Sequence, residues 1–232
     1  MCVARLARAE ALELLRGRFE AKQHTLLAYA NTNLVNFAAR DAELAKMLQD
    51  FVLLNDGIGL ELGARLVNGG EGFLDNLNGT DFTPQVLGAL PRGSKVFLYG
   101  SKPRVVAKAA TEMAAWGVTV VGAQDGYAKL TVVEMVKRIN ASGAEVVLVA
   151  LGNPRQELWM AQAAPLLNAI LLVGVGALFD FVAGEFRRAP LWVQRLRLEW
   201  LFRLVQEPRR LLRRYTWDIG AFLWVVWRWR WD

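Results

Sequence analysis

Short apolar runs closed by a glycine or a polar residue recur along this chain. They are Thr25–Ala30 before Asn31, Phe51–Leu54 before Asn55 and Asp56, Lys95–Tyr99 before Gly100, and Val118–Val121 before Gly122. Glu145–Ala150 before Leu151 and Gly152, and Ala169–Val173 before Gly174, complete the set. Stretches with helical spacing lie beside them, over residues 7–20, 34–49 and 130–141. Strand, helix, strand in alternation predicts a parallel sheet with helices on both faces. In such sheets ligands bind in the crevice outside the carboxyl ends of the strands. The residues that close the apolar runs are therefore the first candidates for chemistry.

Asp56 stands out among them. It ends the Phe51–Leu54 run and precedes Gly57-Ile58-Gly59, where helical spacing begins. A carboxylate there is placed for general-base work, and Gly57 and Gly59 let backbone approach a substrate. The ordinary alternative is a helix cap, since Asp accepts backbone N–H groups at helix starts. Asn31 occupies the equivalent place after Thr25–Ala30. Asn153 and Pro154 follow the Glu145–Ala150 run, and Gln156 lies three residues after Asn153. That spacing fits a capping box. It fits equally a helix N-terminus that binds an anion or sugar hydroxyls through Arg155 and Gln156. Residues 68–81 are rich in glycine and asparagine and read as a long loop, and Thr83-Pro84 reads as the start of the next helix.

Other function classes lose support here. Gly57-Ile-Gly59-Leu-Glu-Leu-Gly63 is one residue too long for the dinucleotide fingerprint, and Gly174-Val-Gly176 lacks the third glycine. A Rossmann-type NAD oxidoreductase thus rests on fold alone. One cysteine leaves nothing for a thiolate metal cluster, and the single histidine, His24, argues against histidine-based triads and histidine-rich metal sites. No Asp-x-Asp pair stands ready to hold a metal against a nucleotide diphosphate. The start of the chain reads as carrying no secretory signal, and no apolar run is long enough for a clear membrane span.

The end of the chain has a different character. Seven of nine tryptophans lie at or beyond Trp192, and eleven arginines from Arg187 onward face five acids from Glu185 onward. Pairs such as Arg209/Arg213 and Arg210/Arg214 repel at i,i+4 spacing unless an anion neutralises them. Tryptophan favours the membrane interface and arginine anionic headgroups, so an interfacial attachment is expected rather than a span. The bland alternative is that this end packs on the core or on a second copy of the chain, as in a homo-oligomer. Basic charge interleaved with aromatics also keeps a nucleic-acid-binding protein as an alternative, but one that leaves Asp56 and the Pro154–Glu157 turn without a purpose. The expected division is an α/β catalytic domain over 1–189 and a helical, basic, Trp-rich appendage over 190–232.

Several ordered blocks together resemble the WecG/TagA/CpsF family of glycosyltransferases, which act in bacterial surface polysaccharide and wall teichoic acid synthesis. They are Asp56–Gly59, Phe97–Pro103, Val121–Tyr127, Gly152–Glu157, Gly174–Gly176 with Phe179-Asp180, Arg188–Pro190, and Leu198–Leu204 followed by Pro208 and Arg210. The resemblance implies a three-layer α/β/α fold. It implies metal-independent, inverting transfer from a UDP-sugar onto an undecaprenyl-diphosphate-linked sugar, at the cytoplasmic face of the membrane. It assigns Asp56 as the base, Asn31 and Gln156 to the pocket, and Arg203, Arg210 and Arg213 to the lipid diphosphate. No cofactor and no nucleic acid are implied. Two departures from the family pattern, Tyr29 and Asn76, bear on which sugar or acceptor is recognised.

Overall fold

The computed structural model of the protein describes residues 2–186, 189–190, 193, 199–206 and 219–228. Six strands form one sheet: β1 (Thr25–Ala30), β2 (Phe51–Asn55), β3 (Lys95–Gly100), β4 (Thr119–Gln124), β5 (Val146–Ala150) and β6 (Leu171–Gly174). All pairs are parallel, in the order β2-β1-β6-β5-β3-β4. Every residue of β1, β5 and β6 is buried. That is why these runs read as continuously apolar rather than alternating: a parallel sheet covered on both faces has no wet side.

The helices sort into two layers. One face carries α1 (Arg8–Glu20), α5 (Gly79–Ala89), α6 (Pro103–Met113) and α9 (Leu178–Val182), with Leu15, Phe82, Val106 and Phe179 in its core. The other carries α2 (Thr32–Arg40), α3 (Ala42–Met47), α7 (Val132–Ser142) and α8 (Arg155–Ala163), with Leu34, Leu44, Ile139 and Met160. Leu60 of α4 (Ile58–Val67) joins this second core. The molecule is thus the expected three-layer α/β/α sandwich.

Local structure departs from the sequence reading at several points. The helix expected over 34–49 is broken, because Asp41 leaves the helical region and its carboxylate accepts the Glu43 and Leu44 N–H groups to start α3. Aspartate offers the backbone that alternative to continuing a helix. α5 begins at Gly79, not at Thr83-Pro84: Asn78 accepts the Asp81 N–H as its cap, and Pro84 lies inside the helix. Thr83 is fully buried there, its hydroxyl 2.9 Å from that of Tyr29.

Near the end of the chain, the helix over residues 219–228 packs on α4. Phe222, Val225 and Val226, spaced three and four apart, turn inward and are buried. Gly63 makes the contact: a Cβ there would lie 2.5 Å from the Phe222 ring. Leu223, Trp224 and Trp227 face outward and are exposed. This helix therefore packs on the core with one face, one of the two outcomes the sequence reading offered, and leaves tryptophans exposed on the other. Among the described residues no helix is long and apolar enough to cross a membrane.

Candidate active site

Ala30 of β1 pairs with Asn55 of β2, so Asn31 and Asp56 follow side by side at the ends of neighbouring strands. The Asp56 N–H donates to the Ala30 carbonyl at 2.7 Å, which holds the two ends together. Gly57 then turns the chain at φ 91, a conformation that side chains other than glycine rarely accept. Gly57 is the cap position of α4, so Asp56 sits one residue outside the position from which an aspartate ordinarily caps. Gly59 has a reason of its own, since a Cβ there would lie 2.6 Å from Thr32 Cγ2. It lets the first turns of α2 and α4 meet beside the crevice.

A second tier supports this turn. The Gly57 N–H reaches Asn76 Oδ1 at 3.4 Å, and buried Asn55 donates from Nδ2 to the Asp75 carbonyl at 2.9 Å. Asn76 thus braces the Asp56 turn from the long loop. Tyr29 lies inside the core, where burial pushes its hydroxyl well above the ordinary value. The Thr83 hydrogen bond opposes that shift, and the nearby Asp56 charge adds to it. The two departures from the family pattern therefore both stand close to the candidate base.

The candidate pocket amides come from two strand ends, after β1 and after β5. Asn31 Oδ1 accepts the Asn33 and Leu34 N–H groups, both at 3.1 Å, and so caps α2. Its Nδ2 donates to Asn153 Oδ1 at 3.2 Å, across a sequence separation of 122 residues. Asn153 Nδ2 donates to Glu157 Oε1 at 2.6 Å, and Gln156 Nε2 donates to the same oxygen at 2.8 Å. Gln156 Oε1 accepts the Gly176 N–H at 3.2 Å. Gly174 leaves room for this side chain, because a Cβ there would lie 2.9 Å from Gln156 Nε2.

This arrangement replaces the capping box. α8 begins at Arg155 with Pro154 as its cap residue and no side-chain cap bond, and the Gln156 N–H goes to the Gly152 carbonyl. Asn153 and Gln156 instead share Glu157 Oε1, and across the sheet end one reaches Asn31 and the other the Gly176 N–H. Glu157 is the member that the sequence reading missed. It is fully buried, and burial pushes its carboxyl above the ordinary value against the opposing hydrogen bonds from Gln156 and Asn153. Glu157 lies three residues before buried Met160, a spacing that puts the two on the inward face of α8.

Further along the crevice, Tyr99 at the end of β3 packs on Trp159 with ring centroids 4.8 Å apart. Burial pushes its hydroxyl up, with Arg155 opposing and Asp125 adding to the shift. Asp125 itself holds the turn after β4 by accepting the Tyr127 N–H at 2.9 Å. Ser101, after β3, donates to Asp180 of α9 at 3.4 Å. Of the tail arginines, Arg203 lies on the helix Glu199–Gln206, while Arg210 and Arg213 fall outside the described residues. Among the described residues, no group of three or more His, Cys, Asp or Glu is placed to hold a metal ion.

Asp56 and the amides thus stand at the ends of β2, β1 and β5, with the Gly176 N–H after β6 between them, along four consecutive strands of the sheet. At about 4.8 Å per strand they span roughly 14 Å. The sequence model of the Glycosyl transferase WecG/TagA/CpsF family matches residues 1–232, the whole chain. With motif, fold and full-length match in agreement, the chain belongs to the WecG/TagA/CpsF glycosyltransferase family.

Proposed function

We propose that this glycosyltransferase moves a sugar from a UDP-sugar, with inversion, onto a sugar carried by undecaprenyl diphosphate. Asp56 takes the proton of the acceptor hydroxyl. The freed oxygen attacks the anomeric carbon from the face opposite the diphosphate. The bond from that carbon to the UDP oxygen breaks, and UDP leaves with the electron pair. One observation carries this reading: a carboxylate on a glycine turn and three oriented amides share one end of the sheet, after β2, β1 and β5, in a member of this family.

The anionic donor has a favourable place to lie. α2, α4 and α8 all start at this edge of the sheet, and helix N-termini carry positive partial charge. Asn31, Asn153 and Gln156 line the donor pocket, and Arg203, Arg210 and Arg213 neutralise the lipid diphosphate. Exposed Trp224 and Trp227 rest at the interface of the cytoplasmic membrane face, and no metal ion is needed.

Incubation of the purified chain with a panel of UDP-sugars and a short polyprenyl-diphosphate-sugar acceptor tests the reaction. One donor should release UDP and yield a glycosidic product of inverted configuration, with chelator present. Retention of configuration, or turnover of no UDP-sugar, refutes it. Flotation with anionic liposomes tests the membrane part. The chain should float, and the double variant W224S/W227S should sediment while keeping its melting temperature.

A further inference from the structure

Beneath the residues that the proposed reaction uses stands Glu157, fully buried on α8. Its Oε1 receives two amide N–H groups, from Asn153 and from Gln156. Among the described residues it has no ion-pair partner, and its Oε2 has no hydrogen-bond partner. A carboxyl group in such a place is costly for the fold. Methionine, of similar volume, would fill the space without that cost.

What methionine cannot do is fix the sense of an amide. A carboxamide has a donor side and an acceptor side, whereas an ionised carboxylate only accepts. With Glu157 between them, Asn153 and Gln156 both turn their NH2 groups inward. Their carbonyl oxygens are then turned to Asn31 Nδ2 and to the Gly176 N–H. Asn31 is in turn left with its own oxygen on the α2 N–H groups. One buried acceptor thus sets the sense of three amides across β5, β6 and β1, and such networks act together rather than as independent pairs.

We propose that Glu157 is a positioning residue: it orients the Asn31, Asn153 and Gln156 amides so that they present one fixed pattern of donors and acceptors to the sugar nucleotide. The inference rests on the reading of those amides as the donor pocket. It distinguishes acceptor character from both charge and shape. Glu157→Gln keeps a carbonyl oxygen where Oε1 stands, so it keeps the pattern without the charge. Glu157→Met keeps the volume and loses the acceptor.

The test compares wild type, E157Q, E157M and D56N in steady-state transfer, with side-chain amide NMR on each. E157Q should stay within about threefold of wild type. E157M should lose kcat/KM for the donor by roughly 10- to 100-fold, the scale of a misplaced binding group, and should shift the Asn31 side-chain amide signal although Asn31 does not touch residue 157. Wild-type kinetics and an unmoved Asn31 signal in E157M overturn the proposal. A loss in E157Q as large as in E157M overturns it too, since the charge itself is then what the site needs. If E157M does not fold, wild type decides: the Asn153 and Gln156 NH2 protons should exchange far more slowly than surface amides, and fast exchange at both refutes the network. Full transfer by D56N, or none by wild type, would count against the proposed reaction, while the NMR arms still decide the role of Glu157.

Discussion

The β2–α4 turn and the β5–α8 turn solve the same geometric problem in opposite ways. Each brings a strand into a helix at the edge of one crevice, and each carries a candidate site residue there. In the β5–α8 turn, Asn153, Gln156 and Glu157 are bonded to one another and to residues of two other strand ends. In the β2–α4 turn, the backbone is fixed by Ala30, Gly57 and Asn76, while Asp56 itself is only half-buried. A recognition surface gains from having its donors and acceptors oriented in advance. A base must be reached by the proton it removes. The contrast between a locked turn and an accessible one matches those two demands.

The sharpest way to break this comparison is at Asp56. In D56N, shape is kept and basicity lost, so transfer should fall by about 10²-fold or more, with little change in melting temperature. Initial rates and calorimetry on one preparation check it, and a large thermal loss with normal turnover per folded molecule reverses the assignment. The locked turn is tested next by G174A. The atoms nearest its Cβ are Nε2, Cδ and Cγ of Gln156, at 2.9, 3.2 and 3.4 Å, so that side chain must shift. Transfer should drop by about tenfold, within the range for a misplaced binding group, while the melting temperature changes by little. Unchanged donor KM and kcat in G174A would show that the Gln156 amide need not be held so closely.

Two smaller effects sharpen the contrast further. Burial raises the Glu157 carboxyl above its ordinary value of 4.5. The folded state then holds that proton more tightly than the unfolded state. The stability this contributes is complete below the ordinary value and is lost as pH rises through the folded one. E157Q removes that loss, so its melting temperature relative to wild type should climb as pH increases from about 4.5 toward neutrality. A difference that is flat with pH contradicts the shift. The smallest effect is expected at Tyr29, beneath the accessible turn. Y29F removes the hydrogen bond to Thr83 and should cost about 1 kcal/mol of stability, measured by denaturant unfolding, with transfer unchanged.

The strands were legible because a doubly covered parallel sheet makes apolar runs, and Asn31 and Asp56 were legible because they close such runs. Glu157 was not. A glutamate in the first turn of a helix is an ordinary sight, and the Asn153–Gln156 spacing mimics a cap that this backbone does not form. Thr83-Pro84 misled for a similar reason: the signal for a helix start is sound, but Asn78 supplies the cap one turn earlier. In the tail, alternating Trp and Arg drew the eye from Phe222, Val225 and Val226, whose helical spacing marks the face that packs on Gly63.

The position of β6 has a consequence in time. The last strand in sequence lies in the middle of the sheet, between β1 and β5. As the chain leaves the ribosome, β1 with β2, and β3 with β4 and β5, can form as two separate ribbons. Each ribbon exposes an unpaired edge, β1 on one and β5 on the other, until Leu171–Gly174 arrives to join them. Asp56 and Asn31 belong to the first ribbon, Asn153 and Gln156 to the second. A nascent chain halted before residue 171 therefore holds every one of these groups but no assembled crevice, and its two bare edges are open to wrong partners.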